Sequence, residues 1–167
     1  MIATEYHWYP VCTLYNAEKK ACEVLSSKGI EVYMPLKKEL RQWSDRKKWV
    51  YEPLIKSYLF VRITQQQQTE VLMTKGVLRF IYFSGKITPM PDRQIEELKL
   101  LLANESELEI SDHVFEKGEE VVLKAGPLKG LRGEIVSFHS EKRFIIRIDY
   151  IGKTVVVQTS ALFVEPI

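Results

Sequence analysis

The chain has 167 residues, 46% of them hydrophobic and 28% charged, which suits one ordinary domain or two small ones and argues against a disordered chain. Its formal charge of +2 excludes a polyanion binder that uses its whole surface. Residues 1–104 nevertheless hold 16 Lys and Arg against 11 Asp and Glu, while residues 105–167 hold 8 against 11, so a local basic patch and two modules of opposite charge stay open. Two cysteines, Cys12 and Cys22, are too few for a disulfide scaffold, and their spacing matches no metal motif unless distant histidines join them. They read as reduced and structural, in a cytoplasmic protein with no membrane span, metal or cofactor.

Trp8-Tyr9-Pro10-Val11-Cys12-Thr13-Leu14 is aromatic and β-branched, a first strand in which Pro10 suits an edge or a bulge because it has no N–H to give a ladder. Asn16 is placed to cap a helix whose apolar stripe is Ala17, Ala21, Val24 and Leu25, and Gly29 ends it. Ile30-Glu31-Val32-Tyr33-Met34-Pro35 alternates like a strand. Tyr58-Leu59-Phe60-Val61-Arg62-Ile63 is apolar nearly throughout, as a strand covered on both faces would be. Between these two runs, residues 37–51 carry Lys37, Lys38, Arg41, Arg46, Lys47 and Lys48 against only Glu39 and Asp45, with Trp43, Trp49 and Tyr51 interleaved. Such cations can meet phosphates and such rings can stack a base; alternatively the charges are simply solvated and the indoles pack beneath them.

Thr64 and Gln67 stand at capping-box spacing and open a short helix through Val71, Leu72 and Lys75, which Gly76 stops. Residues 77–83 form the next strand, closed by Ser84-Gly85-Lys86. Pro89-Met90-Pro91-Asp92 then sets up a helix with Ile95, Leu98, Leu101 and Leu102 on one face. Residues 103–120 change character, with Glu105, Glu107, Glu109, Asp112, Glu116, Glu119 and Glu120 against one base, Lys117, and read as a solvated linker. Beyond them, strands at 120–124, 133–138, 143–150 and 153–158 are separated by turn signals and suit a small closed barrel. Phe144, Ile146, Ile148 and Tyr150 share one face there, leaving Arg147 and Asp149 on the other. The fold class is α+β, an antiparallel sheet with flanking helices over residues 1–104, an acidic linker over 105–117 and a small β-barrel over 118–167. His7, His113 and His139 are scattered, with no nucleophile, paired acid or phosphate loop beside them, so an enzyme is not expected.

These residues carry a resemblance. Trp8-Tyr9 opening a strand, Gly29-Ile30-Glu31-Val32-Tyr33-Met34-Pro35, a basic hairpin, Glu52-Pro53-Leu54 before Tyr58-Leu59-Phe60-Val61, then Gly76-Val77 and Pro89-Met90-Pro91-Asp92 together resemble the N-terminal domain of the NusG family of transcription elongation factors. Gly118-Glu119-Glu120-Val121-Val122-Leu123 leading into Gly126-Pro127-Leu128-Lys129-Gly130-Leu131-Arg132-Gly133 resembles that family's KOW domain. The Glu-Pro-Leu and Tyr-Leu-Phe-Val runs look closer to the specialised antitermination paralogs, the RfaH and UpxY type. Where family members often have an aromatic residue, a proline and a glycine or asparagine before the tyrosine, this chain has Ile55, Lys56 and Ser57.

The resemblance implies a factor that binds the clamp region of RNA polymerase near the upstream DNA fork, suppresses pausing or termination, and recruits a further factor through its KOW domain. The polymerase-binding positions it implies are Tyr9, Ile55, Tyr58 and Phe60. The nucleic-acid-binding positions are Arg41, Arg46, Lys47 and Lys48 on the hairpin, flanked by Lys19, Lys20 and Lys75, and they face DNA at the transcription bubble. Gly126, Pro127, Gly130 and Gly133 shape the KOW turn, for which glycine's freedom at positive φ is the physical reason. The KOW partner is expected to be Rho or a small-subunit ribosomal protein, and the chain is expected to be a monomer with no membrane role. A KOW-type RNA-binding protein acting on ribosomal or messenger RNA is the alternative. The β-branched runs Val155-Val156-Val157 and Ile145-Ile146 favour a stable barrel over a helical hairpin.

Overall fold

The computed structural model describes residues 5–103, 107–126, 128–158 and 164–167, and the chain falls into two compact units, Met1–Ile95 and Glu96–Ile167. The first unit opens with β1 (His7–Thr13), α1 (Glu18–Ser27), β2 (Glu31–Tyr33), β3 (Leu36–Gln42), β4 (Lys47–Pro53) and β5 (Tyr58–Ile63). A 3-10 turn at Gln65–Gln67 leads into α2 (Gln68–Leu72), β6 (Val77–Phe80), β7 (Tyr82–Phe83), β8 (Lys86–Ile87) and the start of α3 (Asp92–Ala103).

β5 lies between β2 and β1 in a four-stranded sheet of order β2-β5-β1-β6, with every pairing antiparallel. One face of that sheet, with Tyr9, Val11, Leu59, Val61, Ile63 and Phe80, packs with Ala21 and Leu25 of α1 and Val71 of α2. Leu59, Phe60 and Val61 are all buried, as the unbroken apolar run predicts for a strand covered on both sides.

Pro10 is not at an edge, because β1 is an inner strand. It sits where the β6 ladder ends, and its carbonyl accepts from the Ile81 N–H at 3.2 Å, so the missing proline N–H falls beyond the last β6 residue rather than opposite one. The register shift on this side comes further along, between Cys12 and Thr13. Asn16 does not cap α1 either. Ala17 takes the N-cap position with no side-chain bond, and Asn16 instead occupies the left-handed region at φ 57, a conformation its short polar side chain tolerates. The C-terminal end is as expected: Gly29 at φ 78 donates to the Ser26 carbonyl at 3.0 Å and Ile30 to that of Leu25 at 3.1 Å, a Schellman closure with the Ile30 and Leu25 side chains in the same core. Gln67 Oε1 accepts from the Thr64 N–H at 3.0 Å, the reciprocal arm of a capping box. On α3, Ile95, Leu98 and Leu101 are buried.

The second unit contains β9 (Glu107–Ser111), β10 (Glu119–Leu123), β11 (Arg132–Phe138), β12 (Glu141–Ile148), β13 (Lys153–Gln158) and β14 (Val164–Pro166). They form an antiparallel sheet of order β14-β10-β11-β12-β13-β9, the small barrel-like sheet of the KOW kind. β9 corrects the linker expectation: within the acidic stretch Leu108 and Ile110 alternate with Glu107 and Glu109, and all five residues pair with β13 from Gln158 back to Thr154. Phe115 is buried with Val136, Ile145 and Val156, so this one side chain anchors the segment to the sheet while Asp112, His113, Val114, Glu116 and Lys117 around it stay exposed. Asp112 pairs with Lys153. Strand β12 ends at Ile148, and Asp149–Ile151 is a 3-10 turn closed by Gly152 at φ 65, so Tyr150 does not share the strand face of Phe144, Ile146 and Ile148. Ile145 is as buried as Phe144, so both faces of β12 are covered.

In the KOW turn Gly126 and Gly130 take φ 83 and 92, and the Gly130 N–H donates to the Leu123 carbonyl at 2.8 Å. Pro127 lies outside the described residues. Gly133 is needed for a different reason: a Cβ there would stand 2.5 Å from Phe144 Cζ and 2.6 Å from the Ile145 carbonyl oxygen.

Candidate functional site

Side-chain alternation decides what β5 can present. Tyr58, Phe60 and Arg62 share one face, opposite the helix-packed face of Leu59, Val61 and Ile63. Cys12 is the register partner of Tyr58 on β1, and Tyr33 is that of Phe60 on β2. The Tyr33 and Phe60 rings lie 6.4 Å apart, tilted by 31°. Tyr58, Tyr33 and Cys12 are half-buried, whereas Phe60 is 0% and Ile55 1% exposed. Of the four residues taken together from the sequence, Tyr58 alone has a substantial accessible surface. Tyr9 is on the other side of the sheet: it pairs with Val61, packs edge-on against Phe80 at 6.2 Å and is 4% exposed, and that burial pushes its phenol pKa up. Alternation places Tyr9 off this face and Tyr33 on it only once the register of β1 and β2 against β5 is known.

The segment before Tyr58 is held by its backbone. Leu54 donates to the Pro35 carbonyl and the Ser57 carbonyl accepts from Thr13, both at 2.8 Å. Ser57 itself sits at φ 66, the left-handed conformation that glycine or asparagine adopts with less strain.

The basic stretch is a two-stranded hairpin in which β3 and β4 pair from Leu36↔Pro53 to Gln42↔Lys47, closed by the Trp43 N–H on the Arg46 carbonyl at 2.8 Å. Its two faces differ. Leu36, Lys38, Leu40 and Gln42 share one with Lys47, Trp49, Tyr51 and Pro53; Lys37, Glu39 and Arg41 share the other with Lys48, Val50 and Glu52. Glu52 collects two of the predicted cations, Arg41 at 3.3 Å and Lys19 of α1 at 3.9 Å, and Lys19 Nζ also donates to the Tyr51 carbonyl at 3.1 Å. The hairpin base is thus tethered to α1. Glu52 was visible in the sequence only as part of a Glu-Pro-Leu run.

The remaining cations are dispersed. Lys20 pairs with Glu23 at 3.8 Å. The Arg46 guanidinium lies 5.7 Å from the Trp43 ring and Lys38 Nζ 4.9 Å from that of Trp49, both within cation–π range. Lys47, Lys48 and Lys75 are exposed, and Gly76, which follows Lys75, packs against Ala17 and Ala21 of α1, bringing Lys75 alongside the helix that carries Lys19 and Lys20. The indoles do not pack beneath the hairpin, since Trp43 is 41% and Trp49 56% exposed.

In the second unit Glu134 is a structural carboxylate. Glu134 takes Arg147 Nε at 2.6 Å and the Gly118 N–H at 3.0 Å, while the Arg147 guanidinium also donates to the Glu116 carbonyl at 2.9 Å. Burial alone would raise the Glu134 pKa; the Arg147 and Gly118 hydrogen bonds and the charges of Arg147 and Lys117 overcome it and hold the group below the usual glutamate range. Among the described residues no group of three or more His, Cys, Asp or Glu side chains is placed to hold a metal, and no helix is long and apolar enough to cross a membrane.

The chain thus joins an antiparallel sheet backed by helices to a second, six-stranded sheet of the KOW kind. The profile of the family described as transcription termination factor nusG matches residues 6–99, more than half of the chain, and the chain belongs to the NusG family of transcription elongation factors. Among solved structures it is similar to Thermotoga maritima NusG, from work on domain interaction in that protein, with a TM-score of 0.54 and 23% identity over 92% of this chain and 93% of that one. The MjSpt4:Spt5 complex in conformations A and B matches at a TM-score of 0.35 and 17% identity over 95% of this chain and 92% and 97% of those chains, too distant to add to the fold assignment. No curated protein matches the sequence significantly.

Proposed function

We propose that this chain is a non-enzymatic elongation or antitermination factor that docks on the clamp of RNA polymerase, touches DNA at the upstream fork with its hairpin, suppresses pausing or termination, and recruits a further factor, Rho or a small-subunit ribosomal protein, through its KOW domain. The observation that carries the reading is the family match over residues 6–99, with Tyr58 standing half-buried on the face of β5 turned away from α1 and α2. In this reading Tyr58 makes the contact, Tyr33 and Cys12 border it, and Phe60 and Ile55 form the floor that sets its height. A helix laid against an apolar surface is a recurrent recognition mode in which a buried aromatic anchor carries about 2 kcal/mol or more. The factor acts by differential binding, since it can suppress a pause only by binding the active polymerase better than the paused one.

The test is in-vitro transcription on a pausing template, scored for pause lifetime and terminator readthrough. Shorter pauses with the wild-type chain, lost in Tyr58→Ala while the variant keeps its wild-type melting curve, support the reading. Unchanged pause lifetimes with saturating wild-type chain overturn it.

A further inference from the structure

The register of the hairpin sorts its aromatic and charged residues into two surfaces with different chemistry. On one, Leu40, Trp49 and Tyr51 are 50%, 56% and 57% exposed, an apolar row open to solvent. Exposed aromatics grouped in this way mark a contact surface. The Lys19 and Arg41 pairing with Glu52 belongs to the opposite surface, so the anchoring of the hairpin leaves the aromatic row open. Trp49 and Tyr51 are two residues apart on one strand, which sets their rings about 7 Å apart along it. That spacing admits one ring for each of two successive bases.

Charge then selects the occupant. Lys38 and Lys47 share the aromatic face and Arg46 stands at the turn, while Glu39 belongs to the other face and Asp45 in the turn is the nearest acid in the loop. An apolar protein surface would not call for this ring of cations, whereas a strand of nucleic acid presents bases and phosphates together. In a duplex the base faces are already stacked on their neighbours, so an aromatic row can engage only unpaired bases.

We propose that the Leu40, Trp49 and Tyr51 face of the hairpin is a stacking platform for two successive unpaired bases of a single nucleic-acid strand, with Lys38 and Lys47 meeting its phosphates. This rests on the reading of the hairpin as the nucleic-acid-contacting element and narrows it to single strands. The two rings supply affinity that is tolerant of sequence, because every base has a π-face. The cations supply the salt-dependent part.

The experiment titrates the full chain with a fluorescent oligothymidine of about 15 nucleotides, near the upper site size of one such groove, and with a duplex of the same length. The expected result is tighter binding to the single strand with quenching of tryptophan emission, a loss of roughly 5- to 100-fold in single-strand affinity for Trp49→Ala, and an unchanged salt slope for that variant. Lys47→Gln combined with Lys38→Gln should instead flatten the slope by about 0.7 for each lost phosphate contact. If Trp49→Ala leaves single-strand affinity unchanged while the lysine variant lowers it, the stacking platform is overturned and the nucleic-acid reading of the hairpin survives. If neither oligonucleotide binds, both fall. If Trp49→Ala abolishes capture of RNA polymerase and leaves oligonucleotide binding intact, the row is a protein contact and the proposal is overturned.

Discussion

The β3–β4 hairpin and strand β5 both carry aromatic residues two positions apart, yet Trp49 and Tyr51 stand more than half exposed while Phe60 is sealed. The difference lies in neighbours rather than residue type: β5 has a strand on each side and packed side chains above and below, whereas the hairpin is a two-stranded ribbon with one tether to α1. Carboxylates follow the same division. Glu134 is enclosed between Arg147 and the Gly118 N–H, while Glu52 holds Arg41 and Lys19 at longer range beside solvent. Aromatic and charged residues in the covered parts of this molecule set its stability, and those on the ribbon are available for contact.

The widest gap is expected between the aromatics. Phe60→Ala should destabilise the first unit by about 3–5 kcal/mol, whereas Trp49→Ala should shift stability by no more than about 0.5 kcal/mol, both read by urea unfolding followed by circular dichroism. Equal effects would break the contrast. Glu134→Ala should cost about 2–3 kcal/mol by leaving the Arg147 guanidinium without its carboxylate, seen as faster amide exchange along β11 and β12, and replacing both Glu134 and Arg147 by Leu should recover most of it. If the double variant is as unstable as the single one, the pair is doing something beyond satisfying itself.

The same carboxylate sets a pH dependence. Its folded pKa lies below its ordinary value, so its contribution is complete above that value, about 4.5, and is lost as pH falls through the lower folded pKa. Acid unfolding of the second unit should therefore be less steep below about pH 4.5 in Glu134→Gln than in wild type. Smaller in size, Ser57→Gly should stabilise the first unit by about 0.5–1 kcal/mol by relieving a left-handed serine. Smallest in stability is Glu52→Gln, expected within a few tenths of a kcal/mol; yet by releasing Arg41 and Lys19 it should raise affinity for nucleic acid and steepen its salt dependence.

Much of this organisation was legible in the sequence because it rests on local signals. The unbroken apolar run of Tyr58 to Ile63 marked an inner strand, Gly29 marked a helix end, and Thr64 with Gln67 marked a helix start. Two misreadings came from taking a local preference as decisive. Pro10 suggests an edge because it lacks an N–H, but a strand can be inner along most of its length and still have a point where the neighbouring ladder stops. The glutamates of residues 107–109 suggest a solvated linker, but Leu108 and Ile110 between them keep the alternation of a half-buried strand. The face that carries Tyr58 was half legible: Tyr58 and Phe60 follow from β5 alone, while finding Tyr33 beside them and Tyr9 on the opposite face needs the register across three strands. The sorting of the hairpin into an aromatic face and a Glu52-tethered face depended on a four-residue loop whose length fixes which residues stand opposite one another.

The position of β9 bears on how this chain behaves in a crowded solution. Val155-Val156-Val157 on β13 is the kind of β-branched, uncharged segment that recruits further copies when its backbone edge is bare. By lying along that edge, residues 107–111 pair its open groups and put Glu107 and Glu109 on the new border, while the opposite border ends in Glu165 and Pro166. Both rims of the sheet thus close on residue types that disfavour strand-to-strand growth.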